Sequence, residues 1–362
     1  MQREKIVSVS GLKGFSCVII MLYHYRFILM NNGIELINYG HYFVEVFVTI
    51  SGFLMAYNYR DRIPNLKFTV FFIKRYLKIM PLYWITEICV YIALIMATLL
   101  SKGEISQWEP KQILLELSGF YTGWFGQAEP PVNSPLWTVC CLLLCYVLYY
   151  IICRAFTSRR VVYRSAVLFL IISFVFLLNQ LVDKDEYYSI LGSEDSIRCI
   201  ISFLVGVLLY ELYEIINKKQ GIVISLILLI AFAVIVIAFL QFKKNGVSSI
   251  ENATSWIVIF IFCPLTLYSS IYLNPINYAF SRGAFQFIGA LSTDIYMWHW
   301  VVRIYLGSRP FNLDQETWSG WLLLIIATFL VSVLSHYIIM PFIYRIGVMI
   351  KKIDNNERII AS

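Results

Sequence analysis

The sequence predicts an all-α fold: a polytopic transmembrane helical bundle of about ten membrane helices, with both the N-terminus and the C-terminus in the cytoplasm. Hydrophobic residues make up 59% of the 362-residue chain, and the mean hydropathy is +0.72. Only 14% of the residues are charged, whereas soluble proteins average about 25%. The apolar residues also fall into runs of about 20, the length that a helix needs to cross a bilayer. The chain is therefore predicted to be an integral membrane protein.

Ten apolar segments of suitable length follow one another along the chain. Their predicted bounds, as spans 1 to 10, are 12–30, 40–59, 80–100, 135–153, 165–182, 197–215, 221–242, 255–273, 285–306 and 318–344. No soluble domain fits between or after them, so residues 1–362 are predicted to form a single transmembrane domain. No internal repeat relates the spans, and an inverted-repeat transporter is not indicated.

The orientation of the bundle follows from its basic residues, because cytoplasmic loops carry an excess of Lys and Arg. With the N-terminus inside, nineteen of the 29 basic residues lie inside and eight outside. The inside residues are Arg3, Lys5, Arg60, Arg62, Lys67, Lys74, Arg75, Lys78, Arg154, Arg159, Arg160, Arg164, Lys218, Lys219, Arg282, Arg345, Lys351, Lys352 and Arg358. Topology thus explains the net charge of +7, and no nucleic-acid partner is predicted.

The eight cysteines lie in or beside apolar runs, with no CxxC pair and no metal-ligand spacing. Cys140, Cys141 and Cys145 lie close together, but nothing supplies the further ligands that a zinc site needs. We interpret all eight as small buried hydrophobic residues, so neither a disulfide framework nor a metal site is predicted.

Lys13 and His24 are the most informative pair in the chain, because both lie in the first apolar segment. Eleven residues at ~100° each make three turns plus ~20°, so both side chains project from one helix face. At ~1.5 Å per residue, they lie ~16 Å apart in depth. Ionisable groups inside a membrane are costly, and such a stripe indicates a pathway or an active site.

Glu45 is the predicted partner of His24. It lies near the outer end of span 2, which runs antiparallel to span 1, so the two side chains are expected at similar depth. A carboxylate beside an imidazole holds one tautomer and stabilises the imidazolium, as a general base requires. The alternative is a structural hydrogen bond between two buried polar groups.

His299 lies in the outer half of span 9, among Tyr296, Trp298 and Trp300. One interpretation is an interfacial aromatic belt that contains a snorkelling histidine. The other is the lining of a site for a polar, ring-shaped acceptor. Both interpretations remain open at this point.

A cytoplasmic basic cluster precedes span 3. Arg75 and Lys78 are three residues apart and face one way, and Pro81 is expected in the first turn of the membrane helix. These cations could simply anchor the helix on the inside. Together with Lys13 at the same surface, they could instead bind an anionic phosphate donor.

Two further positions are candidates for substrate contact. Ser51 precedes Gly52 in the middle of span 2, where a glycine allows close approach of helices, and no base near Ser51 supports a nucleophilic role. Trp137 follows Pro135 at the outer start of span 4, where it could also be a simple interface anchor.

Four motifs in order resemble those of the acyltransferase-3 family of integral membrane O-acyltransferases, over nearly the whole chain. A basic residue, ten others and a histidine in the first helix are matched by Lys13 and His24. The family's V-D-x-F-F-x-x-S-G-F resembles residues 44–53, its R-x-x-R-x-x-P resembles 75–81, and its Y-x-x-H resembles 296–299.

The chain departs from these motifs at several positions. Lys13 and Lys78 stand where the family usually has Arg, which keeps the charge and loses bidentate geometry. Glu45 stands for Asp. Leu142 replaces the Glu of a family motif W-S-L-x-x-E-x-x-x-Y, so no role of that carboxylate is carried over.

The resemblance implies a membrane O-acetyltransferase that moves an acetyl group from cytoplasmic acetyl-CoA to a hydroxyl of a cell-surface glycan or its lipid-linked precursor. It implies a multi-pass protein of the plasma membrane, the bacterial inner or cytoplasmic membrane, and a role in polysaccharide modification such as exopolysaccharide biosynthesis. No metal is required. The implied site comprises His24 and Glu45 for catalysis, Lys13, Arg75 and Lys78 for the donor, and Ser51, Trp137, Tyr296 and His299 for the acceptor.

Two alternatives remain open. A transporter or flippase for a glycan lipid would use the intramembrane His24 and Glu45 as a proton relay or as ligand contacts. An acyltransferase acting on a protein or lipid alcohol would share the chemistry and differ only in its acceptor.

Overall fold

The computed structural model describes residues 6–101, 109–124, 129–156, 160–182, 194–244, 251–308 and 310–345, and every regular element in these ranges is helical. The predicted cytoplasmic C-terminus lies outside the described residues. The α-helices are α1 (Val7–His24), α2 (Phe27–Asn31), α3 (Phe43–Tyr59), α4 (Phe68–Leu100), α5 (Pro110–Ser118), α6 (Trp137–Ala155), α7 (Arg160–Val182), α8 (Glu194–Tyr213), α9 (Lys218–Lys244), α10 (Glu251–Ile257), α11 (Cys263–Tyr272), α12 (Asn274–Phe280), α13 (Gly283–Gly307) and α14 (Trp318–Leu334).

Shorter helical segments connect some of these helices. The 3₁₀ segments are Glu35–Tyr42, Ile63–Asn65 and Ser134–Leu136, and the π-helical turns are Val258–Phe262 and Ser335–Ile339. The turn at Val258–Phe262 joins α10 to α11, and the turn at Ser335–Ile339 continues α14.

The helices form an all-α polytopic bundle, as predicted. Within the described residues, eight segments are long and apolar enough to cross a membrane. With α3 and α13, which pack between them, they correspond to the ten predicted spans. α7, α9 and α14 expose large apolar side chains such as Phe169, Ile230 and Leu330. A soluble protein would bury surface of this extent, so these faces are suited to lipid.

The end of α1 and the start of α4 differ from the predicted spans in ways that affect the predicted site. α1 ends at His24, whereas span 1 was expected to continue to residue 30. The chain turns at Tyr25, which is buried, and resumes as α2. α4 begins at Phe68, so Pro81 lies inside the helix rather than in its first turn. Proline in a membrane helix is tolerated where neighbouring groups satisfy the freed carbonyl.

The centre of the bundle is the parallel pair α1 and α13. Gly14 of α1 lies against the backbone of Gly289, and Gly289 lies against the backbone of Ser10. A Cβ atom at either glycine would collide with main-chain atoms, so the two helices approach as closely as their backbones allow.

A second close pair joins α3 to α8. Gly52 lies against the carbonyl of Phe203, and Gly206 lies against the carbonyl of Thr49. The Thr49 hydroxyl donates to the Ser202 carbonyl at 3.1 Å. α3 also packs on α1, so α1, α3, α8 and α13 form the interior of the bundle.

We call the end of the bundle at which α1 begins the basic end, because Arg60, Arg164 and Lys78 lie there. Glu211 of α8 binds two of these cations, with Arg60 Nε at 3.2 Å and Arg164 Nε at 2.9 Å. Arg60 also lies over the Tyr163 ring at 4.0 Å. This cluster joins α3, α7 and α8 at the basic end.

Candidate active site

His24 ends α1 on the side of the bundle opposite the basic end. Its ring is half-buried and contacts two rings of α13: His299, with centroids 5.1 Å apart, and Trp300 at 5.2 Å. The Tyr23 ring lies at 5.1 Å from the same imidazole. The structure therefore brings together two histidines that are 275 positions apart in the chain.

His299 is fully buried and its hydrogen bonds define its tautomer. Nδ1 lies 3.2 Å from the Ile295 carbonyl, one turn earlier in α13. A carbonyl oxygen only accepts, so Nδ1 carries the proton and Nε2 presents a lone pair. Nε2 is buried and has no hydrogen-bond partner among the described residues. A buried acceptor of this kind is suited to a ligand that donates a hydrogen bond.

Tyr25 forms hydrogen bonds that hold the backbone beside the histidine pair. Its hydroxyl donates to the His299 carbonyl at 2.6 Å and lies 2.8 Å from the Thr328 hydroxyl of α14. Tyr25, which directly follows α1, thus connects α1 to α13 and α14. These bonds hold the backbone beside both imidazoles in place.

A cavity of about 630 Å³ lies at the basic end. Its polar lining includes Lys13, Lys78, Asp294 and His336. Each oxygen of the Asp294 carboxylate already has a hydrogen-bond partner. One accepts a hydrogen bond from the Ser335 hydroxyl at 2.7 Å, and the other pairs with His336 Nδ1 at 3.0 Å. Lys13 and Lys78 therefore supply positive charge to the cavity, and an anionic ligand fits it best.

Two stacked aromatic rings separate this cavity from the histidine pair. Lys13 Nζ lies 4.9 Å from the centroid of Phe47, whose ring stacks on Tyr296 at 5.4 Å and 9°. The Tyr296 ring lies 5.9 Å from His299, and its hydroxyl lies 2.8 Å from Thr138 Oγ1. These contacts form a continuous column from Lys13 to His24.

Comparison with protein families identifies the family of the chain. The model of the acyltransferase-3 family, described as an acyltransferase domain, matches residues 6–337. The chain belongs to the acyltransferase-3 family. Membership supports membrane acyltransferase activity and a multi-pass location in a lipid bilayer. The searches of curated proteins and of solved structures return no match.

Glu45 of this acyltransferase pairs with a residue other than the one expected. Its carboxylate forms a salt bridge with Arg198 of α8, and both side chains are largely buried. The ring contacts of His24 are with α13 and Tyr23 instead. The expectation that Glu45 orients His24 is therefore corrected. The Glu45 side chain projects from α3 towards α8, where Arg198 is the counterion of its buried charge.

The remaining predicted residues lie in different parts of the acyltransferase. Arg75 stacks over the Tyr59 ring at 4.1 Å and is absent from the cavity lining, whereas Lys78 is part of it. The Ser51 hydroxyl donates to the Phe47 carbonyl at 2.9 Å, within its own helix. Trp137 is partly buried at the start of α6, next to Thr138, which contacts Tyr296.

Several residues of the site are absent from the sequence predictions. Tyr25, Phe47 and Asp294 each contact a predicted residue or line the cavity with one. Asp294 could have been predicted from the sequence, since an acidic residue inside a membrane helix is uncommon and suggests a functional site. Tyr25 and Phe47 look like ordinary core residues, and only the packing of the helices identifies them.

Proposed function

We propose that this acyltransferase is an O-acetyltransferase of the bacterial plasma membrane. It transfers an acetyl group from cytoplasmic acetyl-CoA to a hydroxyl of a cell-surface glycan or of its lipid-linked precursor. One observation carries the proposal: the column of contacts that runs from the lysine-lined cavity to the His24–His299 pair. A charged donor and a polar acceptor would thus enter at opposite ends of one pair of helices.

The donor side follows from charge and length. Lys13 and Lys78 line a cavity at the end of the bundle that the distribution of basic residues assigns to the cytoplasm. CoA carries phosphates at one end and its thioester at the end of a long, thin arm. Lys13 and His24 are separated by ~16 Å along α1, a separation that an extended donor can span. The lysines would bind the phosphates, and the thioester arm of CoA would pass the stacked rings of Phe47 and Tyr296 to reach His24.

The chemical step needs a base for the acceptor hydroxyl. His24 removes the proton as the hydroxyl oxygen attacks the thioester carbonyl, so the new ester C–O bond forms and the C–S bond breaks. The CoA thiolate leaves and takes the proton from the His24 imidazolium. The acetyl group passes directly from sulfur to oxygen, and no covalent intermediate with the protein is needed.

His299 is assigned to the acceptor. The lone pair on its Nε2 can accept a hydrogen bond from a second hydroxyl of the sugar, next to the one that reacts. A buried acceptor without a partner rejects ligands that lack a matching donor, because the group would stay unsatisfied. In this proposal His24 is the base, and His299 positions the sugar.

The proposal is tested by acetyl transfer in membranes that contain the wild-type chain or His24→Ala at matched expression. Radiolabelled acetyl-CoA is supplied, and surface and lipid-linked glycans are assayed for label. We expect label with the wild type and a loss of at least ~100-fold with His24→Ala, the usual contribution of general base catalysis. Equal transfer by both proteins would exclude His24 as the base.

A binding measurement separates loss of chemistry from loss of folding. CoA at ~100 times its Kd should add ~2.7 kcal/mol to the stability of either purified protein. A protein without CoA stabilisation and without transfer would support a glycan-lipid transporter instead. Stabilisation of His24→Ala equal to that of the wild type would assign its defect to the chemical step.

A further inference from the structure

An apolar groove of about 600 Å³ opens at the end of the bundle that carries His24. It lies between the 3₁₀ segment Glu35–Tyr42, α1, α9 and the start of the α10–α11 span. Hydrocarbon side chains make up nearly all of its lining, among them Ile19, Ile37, Phe43, Ile235 and Val258. Its size falls in the ~300–1,000 Å³ range of small-molecule sites.

The groove adjoins the candidate active site. Gly40 in its wall packs against the Ile19 carbonyl and the Tyr23 side chain, which fastens the 3₁₀ segment to α1. The rings of Tyr42, His41 and Tyr23 follow one another with centroids 4.0 Å and 5.4 Å apart. Tyr23 then contacts His24 at 5.1 Å. A molecule seated in the groove would have its end beside the base.

Two arginines lie over rings that contact His24. Arg26 lies 4.2 Å from the centroid of Tyr23, and Arg303 lies 4.8 Å from the centroid of Trp300. Both rings contact His24. Within the described part of the chain, neither guanidinium forms a salt bridge, and the polar contacts of Arg303 are with Gln315. Two arginines without a carboxylate partner are suited to bind phosphate oxygens.

We propose that the acceptor is a glycan linked through phosphate to a long polyprenyl chain. The chain lies in the apolar groove, the phosphate binds Arg26 and Arg303, and the sugar reaches His24. This inference rests on the proposed acetyl transfer and narrows its acceptor to the lipid-linked form. The Tyr23 ring links the groove to His24, and Arg26 lies over this same ring. The phosphate would therefore lie between the tail and the sugar, as it does in such a molecule. A bilayer phospholipid would also supply apolar tails and a phosphate, but it carries no sugar that could reach His24.

Binding of a fluorescent long-chain polyprenyl phosphate to the purified full-length protein in detergent tests the inference. Competitors are the neutral polyprenol, phosphatidylglycerol and inorganic phosphate. We expect the unlabelled polyprenyl phosphate to compete at least tenfold better than each of them. Equal competition by phosphatidylglycerol would overturn the proposal and assign the groove to bulk lipid.

Variants test each half of the site. Ile235→Trp fills the groove, whereas Ile237→Trp adds the same bulk to an exposed position of α9 that does not line it. We expect Ile235→Trp to weaken polyprenyl phosphate binding about tenfold, equivalent to ~1.4 kcal/mol, and Ile237→Trp to leave it unchanged. Arg303→Ala should weaken binding of polyprenyl phosphate and leave that of polyprenol unchanged. Equal binding by all four proteins would refute the assignment.

CoA-dependent stabilisation, measured on the same preparations, keeps the two proposals apart. Ile235→Trp should retain the full CoA response, because the groove and the lysine-lined cavity share no residue. A protein that responds to CoA but does not prefer polyprenyl phosphate would contradict only the acceptor assignment. A protein that prefers polyprenyl phosphate but does not respond to CoA would contradict the donor assignment.

Discussion

His24 and His299 face each other, with ring centroids 5.1 Å apart, on two helices that run parallel and in register. Ten residues before each histidine lies a glycine, Gly14 in α1 and Gly289 in α13, and these two glycines are also in contact. Because the rise per residue is the same in both helices, contact at one level predicts contact ~15 Å further along. The glycine contact therefore sets the spacing of the histidine pair.

The first prediction concerns this glycine contact. Gly14→Val should destabilise the protein by about 1–3 kcal/mol, because its added atoms meet backbone rather than a flexible side chain. It should also lower acetyl transfer per folded molecule, since the histidines move apart. Thermal unfolding in detergent and the transfer assay measure the two effects. Ala233→Val, which adds similar bulk to an exposed position of α9, is the control and should change neither quantity.

The second prediction separates the two histidines. His299→Phe keeps the ring and removes the lone pair, so it should raise the KM for the acceptor about tenfold, the cost of losing ~1.4 kcal/mol. His299→Gln supplies an amide oxygen as acceptor and should recover part of the affinity. Initial rates at varied acceptor concentration show the change. A KM unaffected by His299→Phe would remove His299 from the acceptor site.

The third prediction concerns the donor cavity. Lys13→Ala should weaken CoA binding about tenfold or more, because a charge-assisted bond is worth ~1.5–3 kcal/mol. Lys13→Arg should retain most of the affinity, since it keeps the cation. Lys218→Ala, at the same end but outside the cavity lining, controls for the general effect of charge. CoA titration by thermal shift is the measurement, and equal affinity in Lys13→Ala and Lys218→Ala would contradict the assignment.

The fourth prediction concerns the Glu45–Arg198 pair. Glu45→Gln should lower stability by about 1–3 kcal/mol, because Arg198 loses its buried partner. Asp195, 3.2 Å away, still neutralises part of the charge. The double variant Glu45→Gln/Arg198→Gln should be less destabilised than the sum of the single changes. Thermal unfolding of the four proteins of the double-mutant cycle measures this coupling. A changed pH profile of acetyl transfer in Glu45→Gln would instead support a catalytic role for Glu45.

The helix content and the order of the spans were predictable, because a membrane permits only structures that satisfy their own backbone bonds. The placement of Lys13 and His24 on one helix was predictable too, since the periodicity of a helix is constant. Lys13 does line a cavity with Lys78, and His24 does lie at the other end of α1.

The pairing of side chains between helices was not predictable, because spacing along one helix does not show which neighbour it faces. Glu45 and His24 have complementary chemistry and were expected at similar depth, but the residues on either side of Glu45 contact Phe15 and Lys13 of α1, and its carboxylate faces α8. His299 had two open interpretations, and only the approach of α1 to α13 places it beside His24. The end of α1 also depends on a distant contact, the bond from Tyr25 to α13.

The stacked rings of Phe47 and Tyr296 also bear on proton passage through the protein. An aqueous path from the lysine-lined cavity to His24 would let protons leak through the bilayer whenever the enzyme was idle. Ring faces offer few partners to a file of water molecules, and Thr138 keeps the Tyr296 hydroxyl engaged. We therefore expect this ring pair to block proton passage through the protein when no CoA arm lies between the rings.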